Sequence, residues 1–120
     1  MSKVITLCGS TKFKKEFEEV NARFTLEGNV VISVGVFGHA DGIALTEEQK
    51  MKLDLIHFEK IDMADEIFVI NVGGYVGNST SLEIAYAQSK RKPVHYFDPQ
   101  SKKEAARQWA IEAETERPNW

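Results

Sequence analysis

The fold of this chain is decided by residues 73–94, which read GGYVGNSTSLEIAYAQSKRKPV. This glycine- and hydroxyl-rich loop follows an apolar strand and leads into a helix whose first turn is predicted to carry one carboxylate, Glu83. Loops that leave the carboxyl ends of parallel strands line the ligand crevice of an α/β sheet. Backbone N–H groups and a helix N-terminus at such a loop suit a phosphate or another anion. The stretch therefore predicts a parallel sheet with a ligand site at its edge.

Short apolar strands alternate with helices on either side of this stretch. The predicted strands cover residues 4–8, 30–34, 66–71 and 93–97, and the predicted helices cover residues 11–26, 46–63, 80–89 and 101–114. Residues 35–45 form a glycine-rich loop without clear periodicity. Such alternation is typical of a parallel sheet covered on both faces. We expect one α/β domain over residues 1–120, a three-layer Rossmann/flavodoxin-like fold with a mainly parallel sheet of about four to five strands in the order 2-1-3-4.

The composition excludes several classes of function. Of the 120 residues 42% are hydrophobic and 28% are charged, as in an ordinary globular domain. The net charge is −3 and no basic stripe alternates with aromatic residues, so no nucleic-acid partner is expected. The single cysteine, Cys8, excludes an intrachain disulfide framework and a cysteine-cluster zinc site. No signal peptide or membrane-length apolar run is visible, which predicts a cytoplasmic chain without a membrane partner.

The loop after the first strand, Cys8-Gly9-Ser10-Thr11-Lys12, is a second candidate anion site. Gly9 permits a tight turn, and Ser10 or Thr11 can cap the helix that follows. A lysine at a helix N-terminus opposes the helix dipole, so Lys12 is better explained if an anion docks beside it. The alternative is a capped helix with an exposed lysine. The loop is neither a Walker loop nor a phosphatase loop, so Cys8 is interpreted as a small buried residue.

Glu83 and the histidines each allow a structural and a functional interpretation. Residues 80–83, TSLE, match a capping box in which the glutamate turns back to the helix N-cap, although the same carboxylate could face a ligand. His39 could face the site from the second loop, whereas His95 is interpreted as structural. His57 lies on the third predicted helix without metal-ligand spacing, and no metal site is predicted.

Three segments of the chain resemble the nucleoside 2-deoxyribosyltransferase-like family, which includes the deoxynucleoside-monophosphate N-glycosidases. The segments are residues 8–12 (CGSTK), residues 64–71 (ADEIFVIN), and residues 77–87 (GNSTSLEIAYA) with the KPV of residues 92–94. The third segment is the most specific. The family's glutamate stands before a small-aromatic-small helix that is followed by a K-P-[VI] strand.

The resemblance implies a role for each matched residue. Glu83 matches the family nucleophile, which attacks the anomeric carbon of a deoxyribonucleoside and displaces the base. His57 stands where the family often has an aspartate, and a histidine can also act as acid or base. The residues implied to contact the substrate are Gly9, Ser10 and Lys12 in the first loop, Asn71 at the end of the third strand, and Gly77, Asn78, Ser79 and Ser81 around the sugar or its 5′-phosphate.

The leading hypothesis is an enzyme that cleaves or transfers the N-glycosidic bond of a nucleoside or nucleoside 5′-monophosphate, without a cofactor or metal. One alternative is a non-catalytic nucleotide-binding or sensing module in which Glu83 caps the helix and accepts a ribose hydroxyl. Another is a structural subunit without a ligand. The third helix is apolar on more than one face, and family members complete their sites with a neighbouring chain. We therefore expect a homodimer or higher homo-oligomer.

Overall fold

A computed structural model describes residues 2–99 and shows a four-stranded, all-parallel sheet with helices packed on it. The strands are β1 (Val4–Gly9), β2 (Val30–Ile32), β3 (Glu66–Ile70) and β4 (Val94–Tyr96), and the helices are α1 (Lys14–Leu26), α2 (Gly38–Asp41), α3 (Glu47–Asp62) and α4 (Asn78–Ser89). The strand order β2-β1-β3-β4 confirms the predicted α/β fold and the predicted order 2-1-3-4.

Two apolar clusters lie on opposite faces of the sheet, because successive strand residues point to opposite sides. On one face Leu7 and Ile70 pack against Phe17 and Phe24 of α1. On the other face Cys8, Ile67 and Val69 pack with Ile61 of α3 and Ala87 of α4, and all five side chains are fully buried. The central strands β1 and β3 are therefore covered on both sides. Within the described residues, no helix is long and apolar enough to cross a membrane.

The ends of several elements differ from the prediction. A 3-10 turn, Thr11–Phe13, precedes α1, and the residues predicted as a structureless loop contain the short helix α2. The second strand ends at Ile32 rather than residue 34, as is common for a strand at a sheet edge. α4 begins at Asn78, two residues earlier than predicted. The helix predicted over residues 101–114 lies outside the described residues.

A close approach between β1 and β3 fixes the base of the first loop. Gly9 has φ +151°, and a Cβ atom added there would lie 2.6 Å from the Ile70 carbonyl oxygen. The two strand ends approach so closely only because this position has no side chain. The approach also aims the loop after β1 across the carboxyl end of β3.

The carboxyl end of α3 is closed by a lysine from the segment before β4. Lys92 Nζ donates hydrogen bonds to the carbonyl oxygens of Ile61, Asp62 and Ala64, at 2.9, 2.9 and 2.6 Å. All three ammonium donors are thereby used. A cation at this end of a helix also interacts favourably with the helix dipole. Lys92 therefore stabilises the end of α3 from a distant part of the chain.

Candidate active site

A cavity of about 660 Å³ opens where the loops after β1, β2 and β3 converge. Its walls include Gly9–Ser10–Thr11 from the first loop, His39 from α2, Tyr75 and Gly77 from the third loop, and the facing sides of α3 and α4. This is the carboxyl edge of the parallel sheet, beside the switch point between β1 and β3, where open α/β sheets bind their ligands. A cavity of this volume is in the range of small-molecule sites.

Glu83 reaches this cavity from the second turn of α4. The N-cap of α4 is Gly77, which makes no side-chain capping bond, and the first turn contains no acidic residue. The capping box predicted for residues 80–83 is therefore wrong, because Thr80 lies inside the helix rather than at its N-cap. The Glu83 side chain does not cap the helix. Instead, it lines the cavity, and Glu83 as a whole is only 8% exposed.

Glu83 forms a cluster with two buried side chains from other elements. His57 Nε2, on α3, lies 3.9 Å from Glu83 Oε1 and 3.4 Å from Cys8 Sγ, at the end of β1. The thiol, the imidazole and the carboxyl group each offer one atom within 4.8 Å of the other two. Cys8 is fully buried, as the sequence predicted, and its thiol lies behind the cavity wall, in contact with His57.

Burial favours the uncharged form of all three groups. It raises the pKa of Glu83 to about 8; the negative charge of Asp54 adds to this effect and a hydrogen bond with Cys8 opposes it. Burial also lowers the pKa of His57 to about 4, an effect reinforced by Lys60 and opposed by a hydrogen bond to the Leu7 backbone. The pKa of the Cys8 thiol is raised well above its usual value, first by burial and then by Glu83. The carboxyl proton therefore resides on Glu83 rather than on the imidazole.

His39 is held on the cavity wall by Thr11. The Thr11 hydroxyl lies 2.9 Å from His39 Nδ1 and accepts a hydrogen bond from the His39 backbone N–H at 3.2 Å. Lys14, the first residue of α1, pairs with Asp41 of α2 at 2.8 Å. These contacts attach α2 to the 3-10 turn after β1 and to the start of α1. The expectation that His39 could face the site agrees with its position on the cavity wall.

The structure brings most of the sequence-predicted site residues together. Those that line the cavity are Gly9, Ser10, His57, Gly77, Asn78, Ser79 and Glu83. Their roles in binding and chemistry stay predictions.

Three predicted binding residues are absent from the described cavity wall. Asn71 exchanges two hydrogen bonds with the Asp98 backbone, at 2.6 and 2.8 Å, so its amide joins β3 to the end of β4. Lys12 places its ammonium 3.5 Å from the centre of the Tyr75 ring. Ser81 is exposed, since it lies two residues before Glu83 and therefore points to a different side of α4.

The sequence interpretation missed several residues of the cavity wall, notably Tyr75, Asp54 and Lys60. Asp54, His57 and Lys60 recur at intervals of three residues, which places them on one side of α3. Together with Lys50 they form a polar stripe that the sequence could have indicated. Lys60 Nζ donates to the Ser33 carbonyl at 2.9 Å, so its charge is held between α3 and the segment after β2.

His95 has the structural role that the sequence suggested. Its Nε2 atom lies 2.9 Å from Glu66, whose other carboxylate oxygen lies 3.0 Å from Lys3. These contacts connect β4, β3 and the segment before β1 at the end of the sheet opposite the cavity.

Compared with known proteins, the chain matches no family model and no curated protein sequence.

Proposed function

We propose that this protein cleaves or transfers the N-glycosidic bond of a nucleoside or nucleoside 5′-monophosphate, with Glu83 as the nucleophile. The observation that carries the proposal is a buried carboxyl group on the wall of a cavity at the carboxyl edge of a parallel sheet. Buried titratable groups with strongly shifted pKa values in clefts are characteristic of catalytic sites. The resemblance of residues 77–87 to the deoxyribosyltransferase-like family supports the choice of substrate.

The proposed reaction is a double displacement. The Glu83 carboxylate attacks the anomeric carbon, the bond to the base breaks with its electron pair leaving on the base, and a glycosyl ester forms. Water or a second base then attacks the same carbon and releases the carboxylate. Attack by water gives hydrolysis, and attack by a second base gives transfer.

The positions of Glu83 and His57 suggest how the proton moves. Glu83 must lose its proton before it attacks, and the His57 nitrogen 3.9 Å away can accept that proton. In the free protein the two pKa values keep the proton on Glu83. As positive charge develops on the sugar, the carboxylate form of Glu83 becomes favoured and the Glu83 proton passes to His57. The resulting imidazolium would then protonate the leaving base. This scheme gives His57 the acid–base role.

Replacement of Glu83 by glutamine tests the proposal. We expect Glu83→Gln to fold normally, to retain ligand binding, and to lose about 10³–10⁶-fold in turnover, equivalent to roughly 4–8 kcal/mol of barrier. The assay is chromatography of the free base released from a panel of nucleosides and 5′-monophosphates. Glu59→Gln, an exposed change on α3, is the matched control and should behave as the wild type.

The same assay separates the enzyme from its main rival. A non-catalytic nucleotide-binding module would bind members of the panel without releasing base from any of them. Turnover by Glu83→Gln at the wild-type rate would show that the covalent mechanism is wrong even if the protein is an enzyme.

A further inference from the structure

The cluster of Cys8, His57 and Glu83 combines three chemically different metal ligands. A thiol from β1, an imidazole nitrogen from α3 and a carboxylate oxygen from α4 lie within 4.8 Å of one another, and all three residues are buried. The proposed glycosidic chemistry uses Glu83 and His57 but has no role for the thiol. The three residues are far apart in the sequence and match no linear metal-binding motif.

We propose that Cys8, His57 and Glu83 form a three-ligand site for a divalent cation of the zinc class, and that the bound cation competes with the nucleophilic role of Glu83. Cation binding itself is independent of the proposed function. Only the competition rests on that function.

The distances between the ligand atoms suit a tetrahedral zinc ion. Zinc bond lengths of about 2.3 Å to sulfur and about 2.0–2.2 Å to nitrogen and oxygen imply ligand separations of roughly 3.4–3.6 Å. The observed separation of Cys8 Sγ and His57 Nε2 is 3.4 Å, and that of His57 Nε2 and Glu83 Oε1 is 3.9 Å. A modest rotation of the Glu83 side chain would bring Glu83 Oε1 as close to His57 Nε2 as a shared zinc ion requires.

The ligand set also suits zinc chemically. Thiolate and imidazole together favour zinc over magnesium or calcium, which prefer oxygen ligands. A thiolate, a carboxylate and a neutral imidazole carry two negative charges, which balance a divalent cation. Binding would release the thiol proton to solvent, together with any proton on Glu83.

The surroundings of the cluster provide orientation and access. The His57 ring makes a hydrogen bond to the Leu7 backbone, and a second bond of this kind fixes the ring of metal-ligating histidines. His57 and Glu83 line the cavity, whereas Cys8 is fully buried behind them. A cation would therefore enter from the cavity and keep one coordination position open toward it, as in exchangeable three-ligand zinc sites.

The neighbouring charges partly cancel. Lys60 faces His57 with a positive charge and Asp54 faces Glu83 with a negative charge. Lys60 is anchored to the Ser33 carbonyl, so it does not occupy the ligand cluster. The two anionic ligands therefore set the net charge of the site.

Direct binding measurements test the proposal on the full chain after treatment with a chelator. In a calorimetric titration with zinc we expect one ion per chain, and binding weakened at least tenfold in each of Cys8→Ser, His57→Gln and Glu83→Gln. His39→Gln removes a histidine from the same cavity wall but not from the cluster, and it should bind zinc like the wild type. Equal zinc affinity in the wild type and all three cluster variants would overturn the proposal.

Cobalt provides a spectroscopic readout in which the wild type alone can overturn the proposal. We expect wild-type protein loaded with Co²⁺ to show a thiolate-to-cobalt charge-transfer band in the near ultraviolet, and Cys8→Ser to lack it. A cobalt complex of the wild type without that band would exclude Cys8 as a ligand and overturn the proposed site.

The competition is measured as inhibition of base release. Zinc should inhibit the wild type, a chelator should restore its activity, and Cys8→Ser should require at least tenfold more zinc for the same inhibition. Zinc binding by the cluster without base release from any substrate would defeat the proposed function alone. Base release without zinc binding would defeat the metal site alone.

Discussion

At the scale of single residues, the site depends on groups whose environment changes their chemistry. Glu83 was recognisable in the sequence from its glycine-rich setting, but its burial and its partners were not. Cys8 and His57 are separated by 49 residues, and their 3.4 Å contact arises only because α3 packs across the end of β1. A local sequence pattern contains no information about such a contact. The sequence therefore predicted the candidate nucleophile but not the cluster around it.

Gly9 is the residue whose replacement should damage the site most directly through the backbone. We expect Gly9→Ala to lower the free energy of unfolding by at least about 2 kcal/mol, because its Cβ would meet the Ile70 carbonyl at 2.6 Å and its φ of +151° is unfavourable for alanine. Urea denaturation measures the loss. Gly28→Ala is the control, since Gly28 also has a positive φ but no atom within 4 Å of the added Cβ. Equal losses in the two variants would exclude the close approach as the cause.

At the scale of secondary-structure elements, the sequence predicted the repeating alternation of strands and helices but not all of the residues at which helices begin and end. The alternation of apolar strands and helices was sufficient for the α/β fold and the strand order. A capping box formed by Thr46 and Gln49 marks the start of α3, close to where the sequence predicted that helix to begin. The start of α4 was not found, because Gly77 occupies the N-cap without a side-chain signal. Helix ends set by backbone geometry or by distant side chains cannot be derived from local patterns.

Lys92 is such a distant side chain, and its loss should weaken α3. Lys92→Met keeps the aliphatic stem but removes the hydrogen bonds to Ile61, Asp62 and Ala64. We expect a loss of about 2–3 kcal/mol in the free energy of unfolding, because hydrogen bonds from a charged donor are replaced by unpaired carbonyls. Thermal and urea denaturation measure it. Lys15→Met, at a side chain that is 81% exposed, should change stability by less than about 0.5 kcal/mol.

The Glu66 contacts predict how stability depends on pH. Burial alone would raise the pKa of Glu66, but hydrogen bonds and charge from His95 and Lys3 outweigh it and hold the pKa below its usual value of 4.5. A carboxylate with a lowered folded-state pKa contributes stability above its unfolded-state pKa and loses it as the pH falls through the folded-state value. In urea denaturation, Glu66→Gln should be about 1–3 kcal/mol less stable than the wild type at neutral pH.

The difference between Glu66→Gln and the wild type should shrink as the pH falls below 4.5. Glu59→Gln, at an exposed position, serves as the control and should follow the wild type throughout. A gap that stayed constant across the acid range would contradict the role assigned to the Glu66 carboxylate.

At the scale of the whole molecule, the two helices that cover one face of the sheet, α3 and α4, carry large apolar side chains that are exposed among the described residues. Leu55 on α3 and Leu82 on α4 are both 64% exposed, and Met51 is 65% exposed. The rings of Phe58 and Tyr86, whose centroids lie 4.8 Å apart, bring α3 and α4 together one turn further along. Leu55 and Leu82 therefore lie at a similar level on adjoining helices. This surface is the candidate interface for the expected homodimer.

A charge placed on that surface tests self-association. We expect light scattering to give at least twice the single-chain mass for the wild type and the single-chain mass for Leu55→Glu, because a dimer would bury the new carboxylate. Leu26→Glu is the control: Leu26 is 89% exposed on α1, on the opposite face, and this variant should associate like the wild type. A single-chain mass for the wild type at working concentration would refute the expected dimer.

The lysine that closes α3 has a further consequence for β4, the last strand in the described order of the sheet. Such a strand can be exchanged with that of another molecule only if it first detaches from its own sheet. Lys92 lies two residues before β4, so detachment of β4 would also pull the ammonium from the three carbonyl groups at the end of α3. Local opening of the strand is thereby coupled to fraying of a sixteen-residue helix. The lysine thus opposes the exchange of β4 between molecules as well as capping the helix.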